Sequence, residues 1–319
     1  MEASDMESVR LDIHGARLTI TGPTRVRSTV ETLYAPFISE TGDAVGVRLD
    51  VVTDEAARPR LDDVDTGGRR IDGPMGPCLL HLHPPDRSVS FAGRGVLTVV
   101  EAGPSTLWLL DPEDPVVEFM LSFSISELIK SQGVYAMHAG AVAWAGAGVL
   151  IPGGSGFGKS TTTAALVQGG FELLSDDQPF VRWQAGAPEL LAFPAPLKLG
   201  PESVERLAGR VPTADGSSAS KRPVDVGPDL GGRQAHRARP RVLLILTLTH
   251  GLQSSLEPAQ KTAAFEALLA HSLFAFDPRL TRRQFELLGS VVRAADAYHL
   301  RVGRDPRDVA ALLKAAIAP

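Results

Sequence analysis

The stretch that most constrains this chain is Gly153-Gly154-Ser155-Gly156-Phe157-Gly158-Lys159-Ser160, continued by Thr161. It satisfies G-x-x-x-x-G-K-[ST], the P-loop pattern. Glycines let the backbone turn tightly and aim successive N–H groups inward at an anion. The lysine neutralises further phosphate charge, and the Ser160 hydroxyl can ligate a magnesium ion. Only six lysines occur in the chain, so one at a motif position is informative. Before the loop, "AGVLIP" reads as a short buried strand. After it, "KSTTTAALVQGG" reads as a helix stopped at Gly169-Gly170, so strand, loop and helix come in the order that phosphate binding needs. The helix N-terminus adds its own partial positive charge. Gly153 through Thr161 are therefore the expected nucleotide contacts.

"FELLSDD" follows the helix stop directly. If Phe171 to Ser175 is a parallel strand next to Val149 to Ile151, both end at the sheet edge where ligands of open α/β sheets bind. Asp176 and Asp177 would then face the phosphates. One carboxylate can help hold magnesium, and the other can accept a proton from an attacking hydroxyl. Apart from the loop, two adjacent aspartates after a strand would read as a solvated turn. The later apolar strand Val242 to Thr249 ends without a carboxylate, and Asp111, in "LWLLDP", reads as a strand-ending turn. His138, just before the strand pair leading into the loop, reads on its own as a packed structural residue.

The wider chain suits a globular protein: 44% of residues are hydrophobic, 22% are charged, and mean hydropathy is +0.03. A net charge of −5 gives no field that would draw nucleic acid or an anionic membrane. The single cysteine, Cys78, excludes an internal disulfide and a cysteine-rich metal site. The acidic start "MEASDMESVRLDIHG" lacks the character of a secretion signal, and "AGAVAWAGAGVLI" is too short to span a bilayer, so a cytoplasmic protein is expected. Residues 1–133 read as a smaller α+β domain, with strands at 18–22, 45–52 and 95–100, helical spacing at 29–38, an exposed loop over 54–77, and a helix over 116–133 closed by Gly133. Residues 134–319 read as an α/β domain with a buried strand at 241–251, a mobile connection over 213–240, and three C-terminal helices around the strand "AYHLRV".

The segment His138 to Asp177 resembles the catalytic domain of HPr kinase/phosphorylase, a bacterial serine kinase related in fold to ATP-dependent phosphoenolpyruvate carboxykinase. The shared order is a histidine followed by a small residue and glycine (His138-Ala139-Gly140), an apolar strand, the glycine loop, a helix ending at glycine, a second strand and Asp-Asp. The layout looks more like the shorter HPr-kinase-like proteins of peptide natural-product clusters, whose relatives phosphorylate a serine on a precursor peptide. This resemblance implies a P-loop-containing, carboxykinase-like C-terminal domain that uses ATP and Mg2+, and it suggests a homo-oligomer. In it Lys159 would hold the phosphates, Ser160 and Asp176 the metal, and Asp177 would be the base toward the acceptor, with His138 assisting near the transferring phosphate. Thr161 stands where HPr kinases commonly carry a glutamate. Lys198 and Glu202, in "FPAPLKLGPESVERL", occupy the general place of their downstream metal-ligating signature, and "RQAHRARPR" offers arginines to the phosphates.

The expected function is an ATP- and Mg2+-dependent kinase acting on a serine hydroxyl of a peptide or protein, with residues 1–133 a candidate for acceptor recognition. A nucleotide-binding regulator without turnover and a small-molecule kinase on the same fold are the competing readings. Neither nucleic acid nor membrane is an expected partner.

Overall fold

The computed structural model describes residues 6–40, 46–59, 69–73, 76–83, 86–101, 103–154, 156–208, 221–249, 251, 253–274 and 276–317. The chain forms two compact units, one of Met1–Val134 with residues 275–280, the other of Tyr135–Phe274 with Thr281–Pro319.

The first unit runs β1 (Met6–Ile13), β2 (Ala16–Pro23), α1 (Thr24–Leu33), β3 (Val47–Val52), β4 (Arg69–Gly73), β5 (Gly76–His83), β6 (Asp86–Phe91), β7 (Gly95–Val99), β8 (Ser105–Leu109) and α2 (Val117–Ile129). Its sheet has the order β1-β2-β3-β8-β7-β6-β5-β4. Alternation along β2 buries Ala16, Leu18 and Ile20, and Val26 and Val30 of α1 join the same core. The loop expected over 54–77 is in part a hairpin: β4 and β5 pair antiparallel with Ile71 opposite Cys78. Glycine and proline around that hairpin mask its strands in the sequence. Gly133, at φ +81°, ends the turn that follows α2 as anticipated. Asp111 does close a turn, accepting from the Glu113 amide at 2.9 Å.

The second unit contains β9 (Val134–Ala136), β10 (Ala139–Trp144), β11 (Ala147–Pro152), α3 (Lys159–Gln168), β12 (Glu172–Ser175), β13 (Phe180–Gln184), β14 (Ala187–Leu191), β15 (Leu197–Leu199), α4 (Pro201–Ala208), β16 (Arg222–Val224), α5 (Val226–Leu230), β17 (Arg233–Gln234), β18 (Arg237–Leu248), β19 (Ser255–Pro258), α6 (Lys261–Ser272), α7 (Pro278–Ala294), β20 (Asp296–Val302) and α8 (Val309–Ile317). Its main sheet runs β17-β12-β10-β11-β18-β14-β13-β9, with β20 beside β18. Successive residues of β11 go to opposite faces: Val149 and Ile151 into a core with α3 and α8, Leu150 into a core with α6 and α7. Covering both faces with helices makes a three-layer α/β arrangement. The segment 221–240, expected as mobile, forms β16, α5, β17 and the start of β18; the part over 213–220 lies outside the described residues.

The strand order corrects the expected neighbour relation. β12 does not lie against β11, because β10 sits between them and pairs antiparallel with both, Ala139 opposite Pro152 and Ala141 opposite Ser175. Two antiparallel steps leave β11 and β12 pointing the same way, so both still end at one edge. β10 starts at that edge. The residue before it, His138, is thereby placed between the two strand ends.

Candidate functional site

The site is built where three strand ends meet. β11 delivers Gly153 and Gly154, β10 begins just after His138, and β12 delivers Asp176 and Asp177. The Ala139 amide donates to the Asp177 carbonyl at 3.1 Å, tying the histidine segment to the acidic pair. The glycine loop then turns into α3, whose first residue is Lys159. Gly158, at φ +83°, makes that turn, and a Cβ there would lie 2.8 Å from the Leu248 side chain. Small side chains let α3 bury deeply: Thr162, Thr163, Ala164, Ala165, Leu166 and Val167 are all buried. Gly140 of the His-Ala-Gly segment is required by this packing, since a Cβ at Gly140 would meet the Thr163 hydroxyl at 2.6 Å.

Lys159, only 6% exposed, donates to the carbonyls of Gly153 at 2.6 Å and Gly154 at 2.9 Å. Its ammonium is 3.3 Å from His138 Nε2 and 3.9 Å from Asp177 Oδ1. His138 Nδ1 is 3.3 Å from the same Asp177 oxygen. The tautomer that satisfies both contacts carries its proton on Nδ1, donates to Asp177 and accepts from Lys159 on Nε2. Burial lowers the His138 pKa, against the pull of Asp177, and the Lys159 charge lowers it further. Burial also lowers the Lys159 pKa, again opposed by Asp177.

Asp176 is 8% exposed. Its Oδ2 accepts from the Lys198 amide at 3.0 Å, while Oδ1 is buried without a hydrogen-bond partner of its own. Burial raises its pKa; the Lys198 amide and the Ser160 hydroxyl oppose that rise, and the Asp177 charge adds to it. Asp177 differs, at 65% side-chain exposure, and faces outward beside His138. Thr161 Oγ1 is 2.8 Å from Ser203 Oγ at the start of α4, so this hydroxyl anchors α4 to α3. Phe157 is 59% exposed. Ser155 lies outside the described residues.

Three contributors were not evident in the sequence. Lys221 lies close enough for its charge to act on His138, Lys159 and Asp176. It precedes β16, which pairs with β15 so that Leu199 faces Arg222. His271 and Ser272, at the end of α6, come within reach of His138: the rings of His271 and His138 are 6.2 Å apart, and Ser272 Oγ accepts from the His138 amide at 3.1 Å. The scarcity of lysine was the one signal that could have flagged Lys221. Lys198 meets the acidic pair through its amide while its side chain is exposed, and Glu202 is exposed on α4. The arginines of 233–241 sit away from the loop. β18 runs parallel to β11 with Arg239 opposite Ala147, the strand's far end, and Arg237 and Arg233 lie beside Glu189 and Glu172.

Glycine loop, buried lysine, histidine and paired carboxylates thus meet at one edge of a mixed α/β sheet. A stretch of 79 residues is 40% identical to the HPr kinase/phosphorylase of Shouchella clausii (strain KSM-K16), which supports the HPr kinase-like resemblance. The match takes in 24% of this chain, and the chain spans 25% of the length of that curated relative. The solved Hpr(Ser) kinase/phosphatase from Coxiella burnetii is similar over 57% of this chain and 89% of its own, at 13% identity and a TM-score of 0.33, too distant a likeness to carry weight. No protein-family model matches the chain. No helix among the described residues is long and apolar enough to cross a membrane.

Proposed function

We propose that the second unit is an ATP- and Mg2+-dependent kinase that phosphorylates a serine hydroxyl of a peptide or protein, with residues 134–319 as the catalytic domain and 1–133 as the part that meets the acceptor. The observation that carries this reading is the convergence of Lys159, His138 and Asp177 on one point at the mouth of the glycine loop.

Loop amides from Gly153 to Thr161 and the α3 N-terminus would bind the phosphates, and the Lys159 ammonium would neutralise the outermost group. Asp177 would take the proton of the acceptor hydroxyl as its oxygen bonds to the terminal phosphorus and the bridging oxygen departs with ADP. Donation from His138 Nδ1 fixes the Asp177 carboxylate and leaves its other oxygen free for that proton. Phosphoryl transfer asks mainly for positioning and charge neutralisation, which these groups supply.

The residues fit a magnesium ion. Asp176 Oδ1 is buried and unpartnered, and the Ser160 hydroxyl acts on the same carboxylate. Among the described residues no three His, Cys, Asp or Glu side chains are grouped to hold a metal by themselves. Mg2+ takes one or two protein ligands and completes its shell with phosphate oxygens and water. When bound, it offsets charge on the transferring group.

Asp177→Asn should keep nucleotide affinity while removing transfer from labelled ATP to serine peptides. Transfer at an undiminished rate would take the base assignment away. Persistent ATP binding by the wild-type chain with no acceptor labelled would favour a sensor instead.

A further inference from the structure

We propose that His271 contacts the terminal phosphate of a bound nucleoside triphosphate and is the residue by which this site distinguishes tri- from diphosphate. The inference rests on the kinase reading above but concerns a side chain with no part in the loop motif or the acidic pair.

The outermost phosphate has to lie where the proton acceptor can reach the hydroxyl that attacks it. That end of the cradle is marked by Lys159 Nζ, which touches the Gly154 carbonyl at 2.9 Å and stands 3.9 Å from Asp177. His271 sits at the same end. A Cβ at Gly154 would lie 3.4 Å from His271 Cε1 and 3.4 Å from a ring carbon of Phe157, so the two rings converge on that glycine from different elements. On its other side His271 is 6.2 Å, centroid to centroid, from His138.

The end of α6 that carries this imidazole is held there by buried packing. Ala264 and Leu268 of α6 are fully buried in the core shared with α7. The next residue, Ser272, accepts from the His138 amide, and its carbonyl accepts from Gln284 Nε2 at 2.8 Å; Gln284, on α7, is itself fully buried. The backbone is thus fixed to the histidine segment of the site while the His271 side chain stays exposed. Neutral or protonated, an imidazole keeps at least one N–H donor for a phosphate oxygen. A diphosphate bound in the loop would leave that donor without its partner.

Titration calorimetry of the full chain with Mg-ATP and with Mg-ADP tests this. His271→Ala should weaken Mg-ATP roughly tenfold, the loss of one hydrogen bond to a charged group, and leave Mg-ADP within about twofold. His271→Gln, which keeps an N–H donor, should recover part of the loss, and it carries the comparison if the alanine variant melts early. Equal weakening of both nucleotides, or of neither, overturns the proposal while leaving the kinase reading intact. A wild-type chain that binds neither nucleotide removes the kinase reading and this inference together.

Discussion

Replacing Asp176 by asparagine should stabilise the nucleotide-free protein while impairing the site. The carboxylate is 8% exposed, and its Oδ1 has no hydrogen-bond partner. Desolvating the charge is what costs, about 1–3 kcal/mol or more for a charged group; asparagine carries no charge, and since its Nδ2 inherits the unpartnered place of Oδ1 the relief comes from the charge alone. The amide oxygen of asparagine can keep the Lys198 bond, weakened by about 1 kcal/mol on losing its charge. The difference is a net gain of about 1 kcal/mol, or roughly 2–4 °C in Tm for a unit of this size. The pH dependence has a definite sign. With the folded pKa raised above the ordinary 3.8, protonation of Asp176 stabilises the fold as pH falls through that raised value, and the effect is complete below 3.8. The advantage of the asparagine variant should therefore be largest at pH 7 and smaller at pH 4, close to the ordinary carboxylate value. Differential scanning calorimetry of both proteins at the two pH values measures it, and adding Mg-ATP should reverse the order because only the wild type gains fully from binding. A variant melting below the wild type at pH 7 without ligand would refute the view that this carboxylate is held at a cost.

Gly169→Ala places a Cβ 2.1 Å from the Ala310 Cβ and should cost about 1–3 kcal/mol in urea unfolding, with Ala310→Gly restoring most of it. Asp277→Ala strips the partner from Arg87, 2.9 Å away with both side chains largely buried, and removes the acceptor for the Arg279 amide; a loss of about 3–5 kcal/mol is expected by the same measurement. Because burial holds the His138 imidazole below its ordinary 6.5, transfer to a serine peptide should persist below pH 6.5 and decline only further into acid. A pH–rate profile whose acid limb falls at or above 6.5 would contradict that. Lys159→Met should abolish Mg-ATP binding in calorimetry.

The strand, loop and helix around Gly153 to Ser160 were legible because each rests on local chemistry: an apolar run, φ-permissive glycines and small helix formers closed by Gly169-Gly170. The three C-terminal helices were legible from their periodicity. The place of β10 was not, since "AGAVAW" carries no sign of which neighbours it will pair with, and parallel adjacency of β11 and β12 looked sufficient. His138 needed a family resemblance to acquire meaning in the sequence, whereas the register Ala139 to Pro152 puts it beside the loop on geometry alone. Lys221, His271 and Ser272 reach the site through sheet order and helix packing, relations between distant segments that single-chain patterns do not encode.

Since the strands that end in the glycine loop and in the carboxylates are both hydrogen-bonded to β10, their separation is two interstrand spacings, about 10 Å of backbone. That gap acts as a ruler with no adjustable part. Any change in the size of the transferred group or of its acceptor has to be absorbed by side-chain length at His138, Lys159 and Asp177, or by residues delivered from α6 and β16. Variation in what the site accepts should accordingly accumulate in those outer elements, while the three strand ends stay as they are.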